Sequence, residues 1–258
     1  MKSIILPVDD TGENLKLNFY ETSHYKDILI IVGGSGDTKD SFHDFISVLS
    51  KKLFGFSYVT FSYRGVETNR EFPLVQQVHD LEQVVEWIKK NHNLPLTLVC
   101  TSMGAFSTAH LLINNTYKEI IARTIFIDPA DYSLDADDGD GTWSGFENYN
   151  PTNPTVSSLM KEIDSHVKVD VINFLLRNHG PHGYAPVEER GSDTPALFAR
   201  LNNLMVKQFY DNTPLINRGE YIEDTQLPHA FMRDGDVKEN IEHLHQLITS
   251  LLKYKKNQ

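Results

Sequence analysis

Apolar positions along this chain recur in two rhythms, one of period two or continuous and one of period near 3.6, and their alternation predicts a layered α/β fold. Residues 3–8 and 15–20 read as two strands joined by the Asp-Asp-Thr-Gly turn at 9–12, a hairpin start to a sheet. The run Ile28-Leu29-Ile30-Ile31-Val32 is apolar throughout, as a strand covered by helices on both faces must be. Phe42, Phe45, Ile46, Leu49 and Leu53 then follow at helical spacing, 58–61 reads as a strand, and Val78, Leu81, Val85 and Ile88 mark a second amphipathic helix. A strand at 96–100, a helix after Ser102 and a strand at 124–127 continue the series. The expected architecture is a doubly wound, mostly parallel sheet.

Between Asp128 and Thr194 the alternation stops. An acidic stretch (Asp135, Asp137, Asp138, Asp140) leads into a patch rich in Tyr, Asn and Pro, and a helical pattern follows around 159–176. This segment reads as a helical cap inserted over the carboxyl edge of the sheet. Strands at 196–201 and 221–222 resume the core, and Val237, Ile241, Leu244, Ile248 and Leu251 lie on one face of a closing helix. The expected organisation is one domain, with 1–128 and 194–258 as the two parts of the core and 129–193 as the cap. A chain of 258 residues with 40% hydrophobic content can bury one sizeable core of this kind.

Candidate chemistry centres on Leu98-Val99-Cys100-Thr101-Ser102-Met103-Gly104-Ala105, where an apolar strand pattern ends on a serine boxed by small residues and a helix pattern begins at once. A side chain at so tight a strand-to-helix turn sits in strained backbone geometry, which demands small neighbours two before and two after it, here Cys100 and Gly104. Such a turn lifts the serine Oγ clear of the sheet edge and aims the N–H of Met103 at the oxygen of whatever the serine attacks. The pattern departs from G-x-S-x-G at its first position, where Cys100 replaces glycine. The chain resembles the α/β-hydrolase superfamily over nearly its whole length. Ile28 to Gly34 resembles that family's third strand and the loop after it, Ser62-Tyr63-Arg64-Gly65-Val66 the turn after its fourth, and His229 its late histidine ahead of a C-terminal helix.

The resemblance implies a nucleophilic Ser102, a base at His229 and an oxyanion hole from the backbone N–H groups of Met103 and Gly34. Gly34 belongs to Gly33-Gly34-Ser35-Gly36, where the absence of side chains lets backbone approach a substrate. The same loop lacks the Lys-Ser/Thr of a phosphate-binding loop. The acid is less plain, because Asn202-Asn203 stands where the family most often places an aspartate. Asp128, at the end of the preceding strand in Ile127-Asp128-Pro129, is the favoured orienter of His229, with Asp131, Asn202, Asn203 and Asp211 as alternatives. Trp143, Phe146, Tyr149, Phe174 and Tyr184 are candidate pocket residues.

A formal net charge of −11 with scattered lysines and arginines disfavours nucleic acid and anionic membranes as partners. One cysteine excludes an internal disulfide, and the apolar run at 1–6 is too short for a signal peptide, so a cytoplasmic protein is expected. The acidic stretch at 135–140 fails the EF-hand spacing, and His179 and His182 have no Cys or carboxylate at ligand spacing beside them, so no metal is expected. His243 and His245, two apart on the closing helix, point to different faces and read as ordinary surface or core histidines. The expected activity is cofactor-free hydrolysis of a carboxylic ester or thioester of a small to medium substrate through a Ser-His-Asp triad and an acyl-enzyme. The alternatives are a hydrolase-fold binding protein that has lost catalysis, and an acyltransferase or C–C bond hydrolase on the same triad.

Overall fold

The computed structural model describes residues 1–8, 14–34, 36–68, 74–114, 116–130, 156–163, 166–175, 206–228, 231–232 and 235–253. Among these, eight strands form one sheet in the order β1-β2-β4-β3-β5-β6-β7-β8. β1 (Lys2–Leu6) and β2 (Leu15–Tyr20) pair antiparallel as expected, the turn at 9–12 lying outside the described residues, and β2 pairs antiparallel with β4 (Phe56–Ser62). From β4 onward every pairing is parallel, through β3 (Asp27–Val32), β5 (Leu96–Thr101), β6 (Ile121–Ile127), β7 (Lys168–Phe174) and β8 (Arg218–Asp224).

β3 shows why its sequence is apolar at every position. Ile28, Ile30 and Val32 face one core layer, beneath α2 (Leu74–Asn91) and α3 (Gly104–Ile113), while Leu29 and Ile31 face the other, beneath α1 (His43–Lys52) and α4 (Val237–Lys253). Each of these five side chains is essentially unexposed, and burying one contributes roughly 1.5–3 kcal/mol relative to leaving it in water. Helices therefore cover both faces, and open sheets of this kind bind ligands at the edge where their parallel strands end.

Lys168–Phe174 corrects the sequence reading, which gave 159–176 a helical pattern and set the whole of 129–193 aside as a cap. Among the described residues of that segment only 156–162 is helical, as a 3₁₀ segment, and β7 is an interior strand between β6 and β8. Val169 and Val171 face one core layer while Ile172 and Phe174 face the other, so the run is apolar on both sides and satisfies helix and strand patterns alike. A long-range ion pair fixes it as a strand: buried Asp170 accepts from Arg123 Nε of β6 at 2.5 Å and from the N–H of Glu220 of β8 at 2.8 Å. The sheet position that the sequence reading gave to 196–201 is thus held by β7, and 196–201 itself lies outside the described residues. Among the described residues no helix is long and apolar enough to cross a membrane.

Candidate active site

Ser102 sits between the last residue of β5 and the first residue of α3, with φ 46°. A left-handed conformation at a residue with a side chain costs on the order of 1–3 kcal/mol and persists only where its surroundings fix it. Three backbone hydrogen bonds do so. Ser102 N–H donates to Ile127 O at 3.3 Å, and Ser102 O accepts from Ala105 N–H at 3.1 Å and Ala130 N–H at 3.0 Å. The strand-to-helix turn expected from the sequence is therefore strained in the manner its small neighbours implied.

The need for those neighbours is visible in distances. A Cβ on Gly104 would lie 2.6 Å from Val32 O and 2.7 Å from Gly33 O, so only glycine lets the first turn of α3 rest on the carbonyl end of β3. Gly104→Ala should destabilise the fold by about 1–3 kcal/mol, the usual cost of forced overpacking, and lower turnover by displacing the turn. Urea titration of the two proteins checks this, and an unchanged midpoint would contradict the close approach. Cys100 is fully buried, donates to Ile125 O at 3.5 Å, and has its thiol pushed far above the ordinary range by burial, so it is no rival nucleophile.

Asp128 reaches the same edge by register. Thr101 of β5 pairs with Ile127 of β6, so the next residues, Ser102 and Asp128, both leave their strands side by side, and Asp128 too has positive φ, 43°. Its N–H donates to Ile172 O of β7 at 2.7 Å, and the residue is only 1% exposed. Ala130, two residues on, is the donor to Ser102 O, which ties the end of β6 to the serine turn. Asp211 is placed elsewhere: it pairs with Lys207 at 2.5 Å, and its carbonyl accepts from Arg218 at the start of β8, at the opposite edge of the sheet from Ser102. That removes it as a partner for a base at the serine.

His229 lies outside the described residues, but the chain is anchored on both sides of it. Leu227 and Phe231 are 1% and 4% exposed in the core layer shared with α4. At the end of β8, Asp224 Oδ1 accepts from the N–H groups of Gln226 and Leu227 at 2.9 and 2.7 Å, and its Oδ2 lies 2.5 Å from His243 Nε2 on α4. Burial raises the Asp224 pKa, but the hydrogen bonds from His243, Leu227 and Gln226 outweigh it and hold the carboxyl below its ordinary value. His243 is thus no ordinary surface histidine. It helps Asp224 fasten the turn that leads into His229, a role set by a pairing 19 residues apart and invisible to local pattern.

Gly34 lies against the serine as expected, for a Cβ on it would stand 3.0 Å from Ser102 Cβ. Its N–H, the expected oxyanion donor, is occupied: it donates to Asp37 Oδ2 at 2.8 Å. Met103, the other expected donor, precedes α3, and its sulfur lies 3.9 Å from Gln77 Nε2 of α2. The turn after β4 supports this corner through a 2.5 Å hydrogen bond between the Tyr63 hydroxyl and Ser107 Oγ of α3, and through the buried Arg64–Asp80 pair at 2.6 Å.

Of the candidate pocket residues, Phe174 is wholly buried on β7, edge-on to Phe231 with ring centroids 6.0 Å apart, and is a core position. Trp143, Phe146, Tyr149 and Tyr184 lie outside the described residues, as do Asp131, Asn202, Asn203, the acidic stretch 135–140, His179 and His182. Among the described residues no group of three or more His, Cys, Asp or Glu side chains is placed to hold a metal ion.

No family model and no curated protein matches the sequence. Solved structures do match over almost the whole chain. A bromoperoxidase from Bacillus anthracis is 13% identical with a TM-score of 0.62, covering 98% of this chain and 100% of its own. Est1E from Butyrivibrio proteoclasticus is 13% identical with a TM-score of 0.60, covering 97% of this chain and 99% of its own. An α/β serine hydrolase homologue from Coxiella burnetii is 15% identical with a TM-score of 0.56, covering 95% of this chain and 94% of its own. The chain has the α/β-hydrolase fold, and the resemblance drawn from its motifs holds at that level.

Proposed function

We propose that this protein is a serine hydrolase of carboxylic esters or thioesters. The observation that carries the reading is the strained turn at Ser102, which costs stability and brings that serine next to Gly34 and Asp128 at the edge where α/β sheets bind ligands. A serine hydroxyl is barely nucleophilic at neutral pH, so the chemistry needs a base and a set of oxyanion donors. In this mechanism Ser102 Oγ attacks the carbonyl carbon while His229 takes its proton. Asp128 orients His229 and stabilises the imidazolium that forms. The N–H groups of Met103 and Gly34 hold the oxyanion. Collapse of the tetrahedral species expels the alcohol or thiol, which receives the proton from His229, and leaves an ester on Ser102. Water, deprotonated by His229, then attacks that ester and releases the acid.

Trp143, Phe146, Tyr149 and Tyr184 supply the aromatic contacts around the acyl and leaving groups. The substrate class is small-molecule, and the chemistry needs no cofactor. A single buried cysteine suits a cytoplasmic setting. One observation favours a second reading, that of a binding protein without turnover: Asp37 already occupies the Gly34 N–H.

Rapid mixing with p-nitrophenyl acetate separates the two readings. An acyl-enzyme mechanism whose second step is slower gives a burst of p-nitrophenolate close to one per protein followed by a steady rate. A binding protein releases none above the uncatalysed rate.

A further inference from the structure

The contact between Gly34 and Asp37 calls for a chemical explanation, because a donor cannot serve a carboxylate and an oxyanion at once. Asp37 Oδ2 lies 2.8 Å from Gly34 N, the distance at which an oxyanion would sit from the same donor. The carboxylate oxygen therefore holds the N–H that the proposed mechanism gives to the oxyanion. It also lies where the neighbouring glycines leave room: a Cβ on Gly33 would come within 3.3 Å of it, and one on Gly34 within 3.5 Å of it. Gly34 itself touches the serine, its own Cβ position being 3.0 Å from Ser102 Cβ.

For turnover the Asp37 carboxylate must leave the Gly34 N–H. Being only three residues along the same loop, it stays close, and a second negative charge then develops where it has just been. With a neutral acyl group this is like-charge repulsion in a partly buried corner, which opposes the reaction. A positive charge on the substrate reverses the balance. An ammonium on the acyl side, one carbon from the carbonyl, approaches the region beside the oxyanion that Asp37 occupies, draws the carboxylate off Gly34 and pairs with it.

Building on the serine-hydrolase reading, we infer that Asp37 is a specificity-determining gate on the oxyanion hole, and that the preferred substrates are esters or thioesters whose acyl group carries an amino group near the carbonyl. Asp37 slows the reaction of neutral acyl groups without preventing it and favours cationic ones. The net charge of −11 adds a general bias toward cations but does not place one, whereas Asp37 does.

The test compares L-alanine p-nitrophenyl ester with p-nitrophenyl propionate at neutral pH, each corrected for its spontaneous hydrolysis, on the wild type, D37N and D37A. The two acyl groups differ essentially by the ammonium. The wild type should favour the alanine ester in kcat/KM by about tenfold or more, given that one oxyanion donor is worth about 10²–10³ in kcat. D37N keeps the size of the side chain and a neutral acceptor for Gly34. It should lower that preference at least about tenfold, losing rate on the alanine ester while gaining it on the propionate, and D37A should do so further. Thermal melting of each variant reports on the fold. If both variants keep the wild-type ratio, or if both esters slow equally in D37N, Asp37 only supports the loop and the inference is overturned. If the wild type turns over neither ester, the serine-hydrolase reading fails and takes the inference with it.

Discussion

Ser102→Ala should reduce p-nitrophenyl acetate hydrolysis by about a millionfold, to the level that binding and backbone donors alone sustain. The expectation follows from the division of labour at the turn. The strained backbone at Ser102 and the close approach of Gly104 to β3 place the hydroxyl, and neither Met103 nor Gly34 can form the covalent bond that splits the reaction into two steps. Alanine removes only the Oγ, so the variant should fold as the wild type does and melt within a few degrees of it. Steady-state rates at matched concentrations, with melting curves alongside, check both halves. Residual turnover above about one per cent of the wild type would remove Ser102 as the nucleophile, because loss of a triad serine leaves far less than that.

Asp128→Asn should cost at least about a hundredfold in turnover with little change in melting temperature. In a Ser-His-Asp triad the same change can cost about ten-thousandfold, because an amide favours the wrong imidazole tautomer and stabilises no imidazolium. The smaller figure allows a water to substitute in part. Asp128 meets the requirement for such a role by register, leaving β6 beside Ser102, and by its 1% exposure, which strengthens its field on any base in reach. Asn202→Ala and Asn203→Ala should each leave turnover within about threefold of wild type, the scatter expected of changes that touch no transition-state interaction. If Asp128→Asn retains most of its activity while an asparagine variant loses it, the histidine is oriented by an amide and the assignment to Asp128 is wrong.

Legibility in the sequence followed the range of the interaction concerned. β3 was plain because a strand with helices on both sides must be apolar at every position, and the serine turn was plain because strain concentrates small residues within two positions of Ser102. β7 was not, since a short apolar run suits a helix as well as a strand. What decides it is the ion pair of Asp170 with Arg123, 47 residues away in sequence. The anchoring of the turn before His229 is of the same kind. Asp224 at the end of β8 and His243 on α4 meet only after the closing helix has packed, so neither announces the other. Gly34 could be chosen from its missing side chain, yet the carboxylate three residues later that takes its N–H depends on the curl of the loop. Asp128 lies between these cases. Its place at a strand end was readable, while its neighbourhood with Ser102 required the pairing of Thr101 with Ile127.

Peptide mass spectrometry after treatment with a fluorophosphonate asks whether Ser102 is a nucleophile held at a working oxyanion hole. The reagent phosphonylates a serine only where its proton can be taken and the developing oxygen charge is held. Wild-type protein should carry a single adduct, on the peptide containing Ser102, and Ser102→Ala should carry none. An unmodified Ser102 in folded protein, or an adduct on another residue with Ser102 intact, would contradict the account.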